Sequence, residues 1–363
     1  MAKIDAFLKL MVELGASDLH LSAGSPPLLR VHGDLQRVKY KVLESEELKA
    51  MLYEVTPEEK IKQFEETGDV DFGFELPGVA RFRVNFFMQH RGVGAVFRLI
   101  PSQIRSVEEL GLPPILNKLA LLPKGLILVT GPTGSGKSTT LAAMVDYANR
   151  MRRDHIITIE DPIEFVHQPK NCLVNQREVG LHTRSFAAAL RAALREDPDI
   201  ILVGEMRDLE TISLALEAAL TGHLVMSTLH TVSAAQTVDR IIDIFPHDQQ
   251  PQIRASLSES LRAVISQTMF KRIDRPGRIV ALEILIATPA ARNLIREGKT
   301  YQIPSIIQTG RKYGMISLDD SIMEYLQRGI ISPEEALNKA ADKARFMPFV
   351  KEVELADFTE LPV

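Results

Sequence analysis

A nine-residue, glycine-rich stretch, GPTGSGKST at 131–139, constrains the fold of this chain more than any other segment. It follows the apolar run LILVT and leads into LAAMVDYANRM, so it lies between a strand-like and a helix-like segment. Glycine loses much backbone entropy on folding, so the three glycines here require a compensating gain. The stretch fits the pattern G-x-x-x-x-G-K-[ST], in which successive backbone N–H groups point at an anion. We therefore predict a nucleotide-phosphate loop at the start of a helix.

The predicted loop would bind a nucleotide through both its backbone and its side chains. Lys137 can reach the β- and γ-phosphates, and the Ser138 hydroxyl can hold Mg²⁺. The positive N-terminal end of the following helix also favours phosphate. We assign nucleotide binding to Gly131, Pro132, Thr133, Gly134, Ser135, Gly136, Lys137, Ser138 and Thr139. The predicted cofactors are ATP and Mg²⁺, and no N-K-x-D element that would indicate GTP is found in the sequence.

Composition argues against several classes of protein. Lys and Arg total 43 against 47 Asp and Glu, a net charge of −4, whereas non-specific nucleic-acid binders are usually basic. Cys172 is the only cysteine, so a disulfide within the chain and a Cys-rich zinc site are both excluded. No apolar run approaches the length of about 18 residues that a membrane-spanning helix needs. We therefore expect a cytoplasmic protein without a membrane span.

Residues 1–100 show an α+β pattern. LHLSAG and LLRVHGD have the features of short strands, and two helix-like segments follow them. DVDFGFEL, VARFRVNFFMQ and GVGAVFRLI then alternate apolar and polar residues and are separated by turn residues, which predicts an antiparallel meander. Residues 101–123 contain four prolines and are predicted to be a linker with a short helix.

From residue 124 onwards, strand-like runs alternate with helix-like runs. Strands are predicted at LILVT, HIITIE, IILVGE and HLVMSTLH, each followed by a helix. Such a β-α-β series implies an α/β fold with a largely parallel sheet, helices on both faces, and the phosphate loop at the C-terminal end of a strand. KRIDRPGRIVALEILI is predicted to form a hairpin, and helices are expected from about residue 288.

Acidic residues follow two of the predicted strands. ITIEDPIEF supplies Glu160, Asp161 and Glu164, whereas Glu205 follows the apolar run IILV. Phosphoryl transfer needs a group that holds the metal and a group that orients the attacking water, so these acids are the candidates. The alternatives are that Glu164 is a solvated surface charge and that Glu205 only forms a salt bridge with Arg207.

Two histidines, His223 and His230, bracket the strand-like run LVMSTL. Their spacing places them at the two ends of the strand and on opposite faces, so they cannot bind one metal ion together. His230 is expected on the side of the phosphate loop and His223 at the far end. The alternative for each is a hydrogen-bonded structural histidine.

The order GPTGSGKST, TIEDPIEF, DIILVGEMRD, GHLVMSTLHT resembles the secretion/type IV pilus ATPase superfamily. These stretches correspond to its Walker A, Asp-box, Walker B and His-box motifs. The resemblance covers essentially the whole chain, including ASDLHLSAGSPPLLRVHGDL and AARNLIRE at 290–297. It implies a homohexameric ring whose subunits have a PAS-like N-terminal domain (1–100), a linker (101–123) and a RecA-like ATPase domain (124–363) with a helical C-terminal segment.

The resemblance also implies roles for individual residues. Glu164 corresponds to the catalytic acid, and Glu205 to the Walker B acid that holds the metal together with Ser138. Glu205 stands where many P-loop enzymes have Asp, which is a departure from their pattern. His223 and His230 correspond to nucleotide-sensing or interface positions.

Arg83 in VARFRVNFF and Arg98 in GAVFRLI lie among apolar residues, where an unpaired guanidinium is costly. Adjacent antiparallel strands can place both side chains on one face. The resemblance implies that their partner is the γ-phosphate of a nucleotide bound to a neighbouring subunit. The alternative is that they pair with acids of the same sheet, such as Asp69, Asp71 or Glu75.

The resemblance is strongest to the pilus-retraction members of the superfamily. The predicted function is therefore a hexameric ATP-hydrolysing motor that powers type IV pilus retraction and twitching motility. The predicted partners are an inner-membrane platform protein, the pilus base and a paralogous retraction ATPase, and the predicted location is the inner face of the cytoplasmic membrane. The alternatives are an assembly or secretion ATPase, which commonly adds a longer N-terminal region and a four-cysteine zinc motif, a nucleic-acid translocase, or a scaffold that binds nucleotide without hydrolysing it.

Overall fold

Two β-sheets, one formed by each half of the chain, organise the protein. The computed structural model describes residues 3–31, 34–100 and 103–350. Residues 1–2, residues 32–33 of the predicted strand LLRVHGD, residues 101–102 of the predicted linker and residues 351–363 of the predicted ATPase domain lie outside the described residues. Within the described ranges, no helix is both long enough and apolar enough to cross a membrane.

The first half forms an antiparallel sheet with helices. Its elements are α1 (Lys3–Glu13), β1 (Asp18–Ser22), β2 (Leu28–Val31), β3 (Asp34–Arg37), α2 (Ser45–Tyr53), α3 (Glu58–Thr67), β4 (Asp69–Leu76), β5 (Ala80–Gln89) and β6 (Gly92–Ile100). The strand order is β3-β2-β1-β6-β5-β4, and the predicted meander over β4, β5 and β6 is confirmed. The strand β3 has no separate sequence signal because all four of its residues are exposed.

The helices of this half cover one face of the sheet. Phe82 and Val84 of β5 are buried in an apolar core to which α1, α2 and α3 also contribute. Arg81 and Arg83 lie on the opposite face, because successive side chains of a strand alternate. That face is turned towards the second half of the chain, where Arg81 Nε donates a hydrogen bond to the backbone oxygen of Ile163 at 3.1 Å.

The second half forms a layered α/β structure. Its elements are α4 (Ile115–Ala120), β7 (Gly125–Thr130), α5 (Lys137–Met151), β8 (His155–Glu160), β9 (Leu173–Glu178), α6 (Phe186–Ala193), β10 (Ile200–Val203), α7 (Leu209–Thr221), β11 (Leu224–Leu229), α8 (Ala234–Asp243), α9 (Gln250–Ser260), β12 (Leu261–Lys271), β13 (Arg278–Ile286), α10 (Pro289–Arg296), α11 (Ile303–Thr309), α12 (Leu318–Gln327) and α13 (Pro333–Lys339). The helices expected from about residue 288 therefore begin at α10.

The strands of this half form a seven-stranded sheet in the order β13-β12-β7-β11-β10-β8-β9. Every neighbouring pair is parallel except β12 and β13, which form the predicted hairpin. The helices α4 and α5 contribute to the core on one face, whereas α6 to α11 contribute to the core on the other. The predicted α/β fold class and largely parallel sheet are confirmed.

Two strands of this sheet lack a clear sequence signal. The edge strand β9, LVNQRE, is mostly polar and only its last residue is buried. The strand β12 is buried but carries Ser266 and Gln267 in its middle, which interrupt the apolar run. The Ser266 hydroxyl lies 2.8 Å from Thr130 Oγ1, and Gln267 Nε2 donates to Thr140 Oγ1 at 2.9 Å. The burial of these polar groups is stabilised by partners far away in the sequence.

His167 is a buried titratable group in the segment between β8 and β9. It is 5% exposed, and its backbone N–H donates a hydrogen bond to Gln176 Oε1 at 2.7 Å. Burial lowers the pKa of His167 to about 4, with Asp146 acting in the opposite direction and Lys170 in the same direction. The folded chain therefore keeps this imidazole neutral over a pH range in which the unfolded chain protonates it.

This imidazole should make stability depend on pH below the ordinary histidine pKa of 6.5. As the pH falls from there towards about 4, the unfolded state binds the proton first, so the free energy of unfolding decreases. In the wild type, this imidazole should lower the free energy of unfolding by about 2 kcal/mol between about pH 7.5 and about pH 5. His167→Gln should lack this decrease, as measured by urea unfolding at both pH values. The exposed His90→Gln is the control. If the free energy of unfolding of His167→Gln decreases with falling pH as much as that of the wild type, this expectation is wrong.

Candidate nucleotide-binding and catalytic site

Four neighbouring parallel strands end at the same edge of the second sheet. The strands β7, β11, β10 and β8 lie side by side, so their carboxyl ends meet there. The loop 131–136 follows β7, Glu160 ends β8, Glu205 lies just beyond β10, and His230 follows β11. Residues that are distant in the sequence are thus brought to one edge, as the strand pattern predicted.

The glycines of the loop are required by its backbone. Gly131 and Gly136 have φ values of 140° and 89°, which favour glycine over other residues. A Cβ on Gly131 would also lie 2.4 Å from the backbone oxygen of Gln267 in β12. Gly136 precedes the first residue of α5, a helix of 15 residues. The loop therefore lies at the N-terminal end of a helix, where the orientation of the peptide dipoles favours bound phosphate.

Lys137 lies inside the curve of the loop. Its ammonium donates hydrogen bonds to the backbone oxygens of Gly131 at 2.8 Å and Pro132 at 3.1 Å. Burial lowers the pKa of Lys137, whereas the charges of Glu164 and Glu205 raise it. A largely buried cation held only by neutral carbonyl groups favours an anionic ligand such as a phosphate group.

Glu164 faces this cation from the segment that follows β8. Its Oε1 atom lies 3.7 Å from Arg83 Nη1, and its side chain is 36% exposed. The backbone N–H of Glu164 donates to Glu160 Oε2 at 3.3 Å. Glu164 is thus anchored through its backbone and ion-paired, with part of its carboxylate accessible to a ligand in the cleft.

Glu160 is buried beneath the cleft surface and binds the backbone of this segment. It is almost fully buried, and burial raises the pKa of its carboxyl group. Its Oε1 atom accepts hydrogen bonds from Thr158 Oγ1 at 2.6 Å and from Gln176 Nε2 at 3.1 Å, and these bonds act in the opposite direction on the pKa. Its contacts to Thr158, Gln176 and Glu164 give Glu160 a structural function beneath the more exposed Glu164.

Glu205 lies just beyond the end of β10 and lines the cleft. Its Oε2 atom lies 2.8 Å from Arg207 Nη2 and 3.8 Å from His230 Nε2. The salt bridge to Arg207, considered above as an alternative, is therefore present. It does not remove Glu205 from the site, because Glu205 and Arg207 both line the same cleft as Lys137.

Arg83 and Arg98 reach the site from the first sheet. They are directly paired in the register of β5 and β6, so their side chains lie on one face as predicted. Arg83 Nε lies 3.8 Å from Asp71, in partial agreement with the alternative of pairing within the sheet. Arg98 Nε bonds to Asp18 Oδ1 at 2.8 Å, a partner in β1. Both arginines line the cleft of their own chain, whereas the resemblance implied action on a neighbouring subunit.

The side chains converge on one cleft of about 600 Å³ between the two sheets, within the usual size range of small-molecule sites. The predicted site residues that line it are Arg83, Arg98, Thr133, Gly134, Gly136, Lys137, Ser138, Thr139, Glu164, Glu205 and His230. Gly131, Pro132 and Ser135 form the loop behind this lining.

His223 is the predicted site residue that lies away from the cleft. Its Nδ1 atom lies 3.0 Å from the backbone oxygen of Ala218, near the end of α7. Its backbone N–H donates to the same oxygen at 3.1 Å. His223 and His230 are thus at opposite ends of β11, as their spacing predicted, and a shared metal ion is excluded.

The available donor groups fit Mg²⁺ better than a transition metal. Among the described residues, no cluster of three or more His, Cys, Asp or Glu side chains could hold a metal by itself. The cleft instead offers the Ser138 hydroxyl and the Glu205 carboxylate. Mg²⁺ prefers oxygen ligands and usually takes one or two from the protein, the remainder coming from phosphate and water.

Some residues of the cleft had no sequence signal. Phe186 begins α6 and Met269 lies in β12, and both border the cleft beside the loop. Gln267, whose backbone excludes a side chain at residue 131, lies in the part of β12 that precedes the predicted hairpin segment. These contacts depend on the parallel pairing of β12 with β7, which the local sequence does not reveal.

A model of the Type II/IV secretion system protein family matches residues 1–278. The chain belongs to this family. It is 58% identical over 337 residues to the type IV pilus retractation ATPase PilT of Pseudomonas aeruginosa, covering 93% of this chain and 98% of that protein. It is 41% identical over 338 residues to the type IV pilus ATPase PilU of the same organism, covering 93% and 88%.

A solved structure agrees with these relatives. The crystal structure of the pilus retraction motor PilT with bound ADP matches with a TM-score of 0.88 and 48% identity, covering 95% of this chain and 99% of that one. The predicted superfamily and P-loop ATPase fold are therefore confirmed, and the chain is an ATPase of this family that binds nucleotide. The comparison of residues 1–100 with PAS domains stays a prediction.

We expect the two acids of the cleft to differ in their effect on turnover. Glu164→Gln keeps the size of the side chain but removes the charge that orients the attacking water, so hydrolysis should fall about 10²–10⁴-fold while ATP still binds. Glu205→Gln should mainly impair metal-assisted turnover, so that half-maximal hydrolysis requires a higher Mg²⁺ concentration. Phosphate release and binding of a fluorescent ATP analogue measure these effects, with the exposed Glu66→Gln as control. Normal hydrolysis by Glu164→Gln would show that this residue is only a surface charge.

Proposed function

We propose that this chain is the subunit of a motor that hydrolyses ATP to power the retraction of type IV pili. The observation that carries the proposal is the cleft in which the phosphate loop, two acids of the second sheet and two arginines of the first sheet meet. The retraction ATPase of P. aeruginosa matches this chain over nearly the full length of both proteins, which supports retraction as the work performed.

The chemistry follows from the placement of the side chains. The loop N–H groups and Lys137 bind the phosphates, and Glu164 orients the attacking water and accepts its proton. Mg²⁺, held by Ser138 and Glu205, would neutralise part of the phosphate charge. Arg83 and Arg98 stabilise the charge that develops on the transferred phosphoryl group.

The same placement couples hydrolysis to movement. We infer that residues 1–100 and 124–363 act as two domains joined by the linker 101–123. The arginines belong to the first domain, whereas the phosphate loop and the acids belong to the second, so a γ-phosphate held by Lys137 attracts the arginines and draws the first domain towards the second. Binding and loss of the γ-phosphate then change the position of one domain relative to the other.

The assembly we propose is a homohexamer at the inner face of the cytoplasmic membrane. Its partners would be an inner-membrane platform protein and the pilus base, with a paralogous retraction ATPase as a further partner. His223, which lies outside the cleft, is assigned to a subunit interface, and His230 to sensing of the nucleotide through Glu205. An assembly ATPase of the same family is disfavoured because the chain has a single cysteine and cannot form the four-cysteine zinc motif.

Cells that lack this gene should still assemble pili but fail to retract them. Wild-type protein should restore retraction, and Lys137→Ala should not, because it removes the cation that binds the β- and γ-phosphates. Retraction is measured by imaging fluorescently labelled pili, and twitching by colony spreading. Loss of surface pili in the deletion strain would instead indicate an assembly ATPase.

Mixing two inactive variants tests which subunit supplies the arginine. Arg83 lies 3.7 Å from Glu164 of its own chain, so we expect it to act on the nucleotide bound by that chain. Mixed rings of Lys137→Ala and Arg83→Ala should then contain no intact site and recover no ATPase activity. Subunit exchange is verified by energy transfer between labelled subunits. Recovered activity would show that Arg83 acts on a neighbouring subunit.

A further inference from the structure

A buried ion pair joins the two sheets next to the catalytic segment. Arg81 lies on β5 and Glu178 ends β9, and their Nη2 and Oε2 atoms are 3.0 Å apart. The Glu178 side chain is 1% exposed and the Arg81 side chain 18% exposed. A buried carboxylate is costly unless it is paired and hydrogen-bonded, so this contact ties the two halves of the chain together at this point.

The pair also holds the backbone of the residue that precedes Glu164. The N–H of Ile163 donates to Glu178 Oε2 at 3.1 Å, and the oxygen of Ile163 accepts a hydrogen bond from Arg81 Nε at 3.1 Å. Both polar groups of this one residue are therefore bound by the two members of the ion pair. The orientation of the backbone at the next residue, Glu164, and therefore of its side chain, depends on this contact.

The neighbouring strand leaves space for the pair. The N–H of Gly73 in β4 lies 3.4 Å from Glu178 Oε1, to which it donates. A Cβ on Gly73 would lie 2.5 Å from Arg81 Nη2 and 3.1 Å from Glu178 Oε2. Any side chain at residue 73 would therefore displace the pair, although the backbone there is an ordinary strand.

Arg81 and Arg83 are two residues apart in one strand, so their side chains lie on the same face of the sheet. The ion pair therefore also brings the strand that carries Arg83 close to Glu164, and Arg83 Nη1 lies 3.7 Å from Glu164 Oε1. We propose that Arg81 and Glu178 are positioning residues that set Glu164 and Arg83 for catalysis and transmit movement of the first sheet to the catalytic acid. This inference rests on the proposed function of Glu164.

The test compares catalysis with nucleotide binding in variants of the full-length protein. Glu178→Gln and Arg81→Met should each lower kcat about 10- to 100-fold, because a small misplacement of a catalytic group is costly. The affinity for a fluorescent ATP analogue should change less than about twofold, because the phosphate loop is untouched. Since the two residues act as one unit, the double variant should lose no more than the worse single variant.

A second ion pair in the same strand provides a matched control. Arg177, next to Glu178, pairs with Glu196 at 2.9 Å on the surface. Arg177→Met and Glu196→Gln should leave kcat within about twofold of the wild type, since an exposed pair contributes little. If Glu178→Gln does not fold, Gly73→Ala carries the test, because it moves the pair without removing a charge; it should lower kcat and spare nucleotide affinity.

The outcomes separate this inference from the proposed function. Glu164→Gln is assayed alongside: if it hydrolyses ATP normally, the proposed function of Glu164 is wrong. If Glu164→Gln is inactive but Glu178→Gln, Arg81→Met and Gly73→Ala keep a normal kcat, only the positioning role is wrong. A parallel loss of kcat and nucleotide affinity, or an equal loss in the Arg177 and Glu196 variants, would show that the pair only stabilises the fold.

Discussion

The parallel pairing of β7, β11, β10 and β8 is the constraint on which the site depends. These strands are buried between helices on both faces, so charged side chains are tolerated only where the strands end. Glu160, Glu205 and His230 all occur at such ends, next to the loop that follows β7. The sheet therefore fixes the relative positions of the binding loop and the acids before any ligand is present.

The first sheet contributes positive charge to the edge of the second sheet at which the acids lie. Its covered face forms an apolar core, and its other face carries Arg83 and Arg98 into the cleft. Arg83 is ion-paired with Glu164 and Asp71, and Arg98 with Asp18, at distances of 2.8 to 3.8 Å. Both partners in each of the two Arg83 pairs are substantially exposed, so these pairs contribute little and can be exchanged for a phosphate group. The arginine charges that can bind a phosphate group are thus also the charges that form ion pairs within and between the two sheets.

The contacts between the two sheets differ in strength according to their burial. The Arg81–Glu178 pair is shielded from water and also binds the backbone of Ile163, so breaking it leaves a buried charge without a partner. The Arg83–Glu164 pair is longer and more exposed, so it can open. The first sheet is thus tied to the second half of the chain by a buried contact that lies beside an exchangeable one at Glu164.

The sequence by itself determined the phosphate loop, the positions of Glu164, Glu205 and His230 after strand-like runs, and the α/β order of the second half. These features are local: the loop needs glycine at residues 131 and 136, and apolar runs mark the buried strands. Only the tertiary structure decided the position of β12, the placement of Arg83 in the cleft of its own chain, and the Arg81–Glu178 contact. These depend on which distant segments pack together, because a buried polar or charged residue is stabilised by partners that no local pattern reveals.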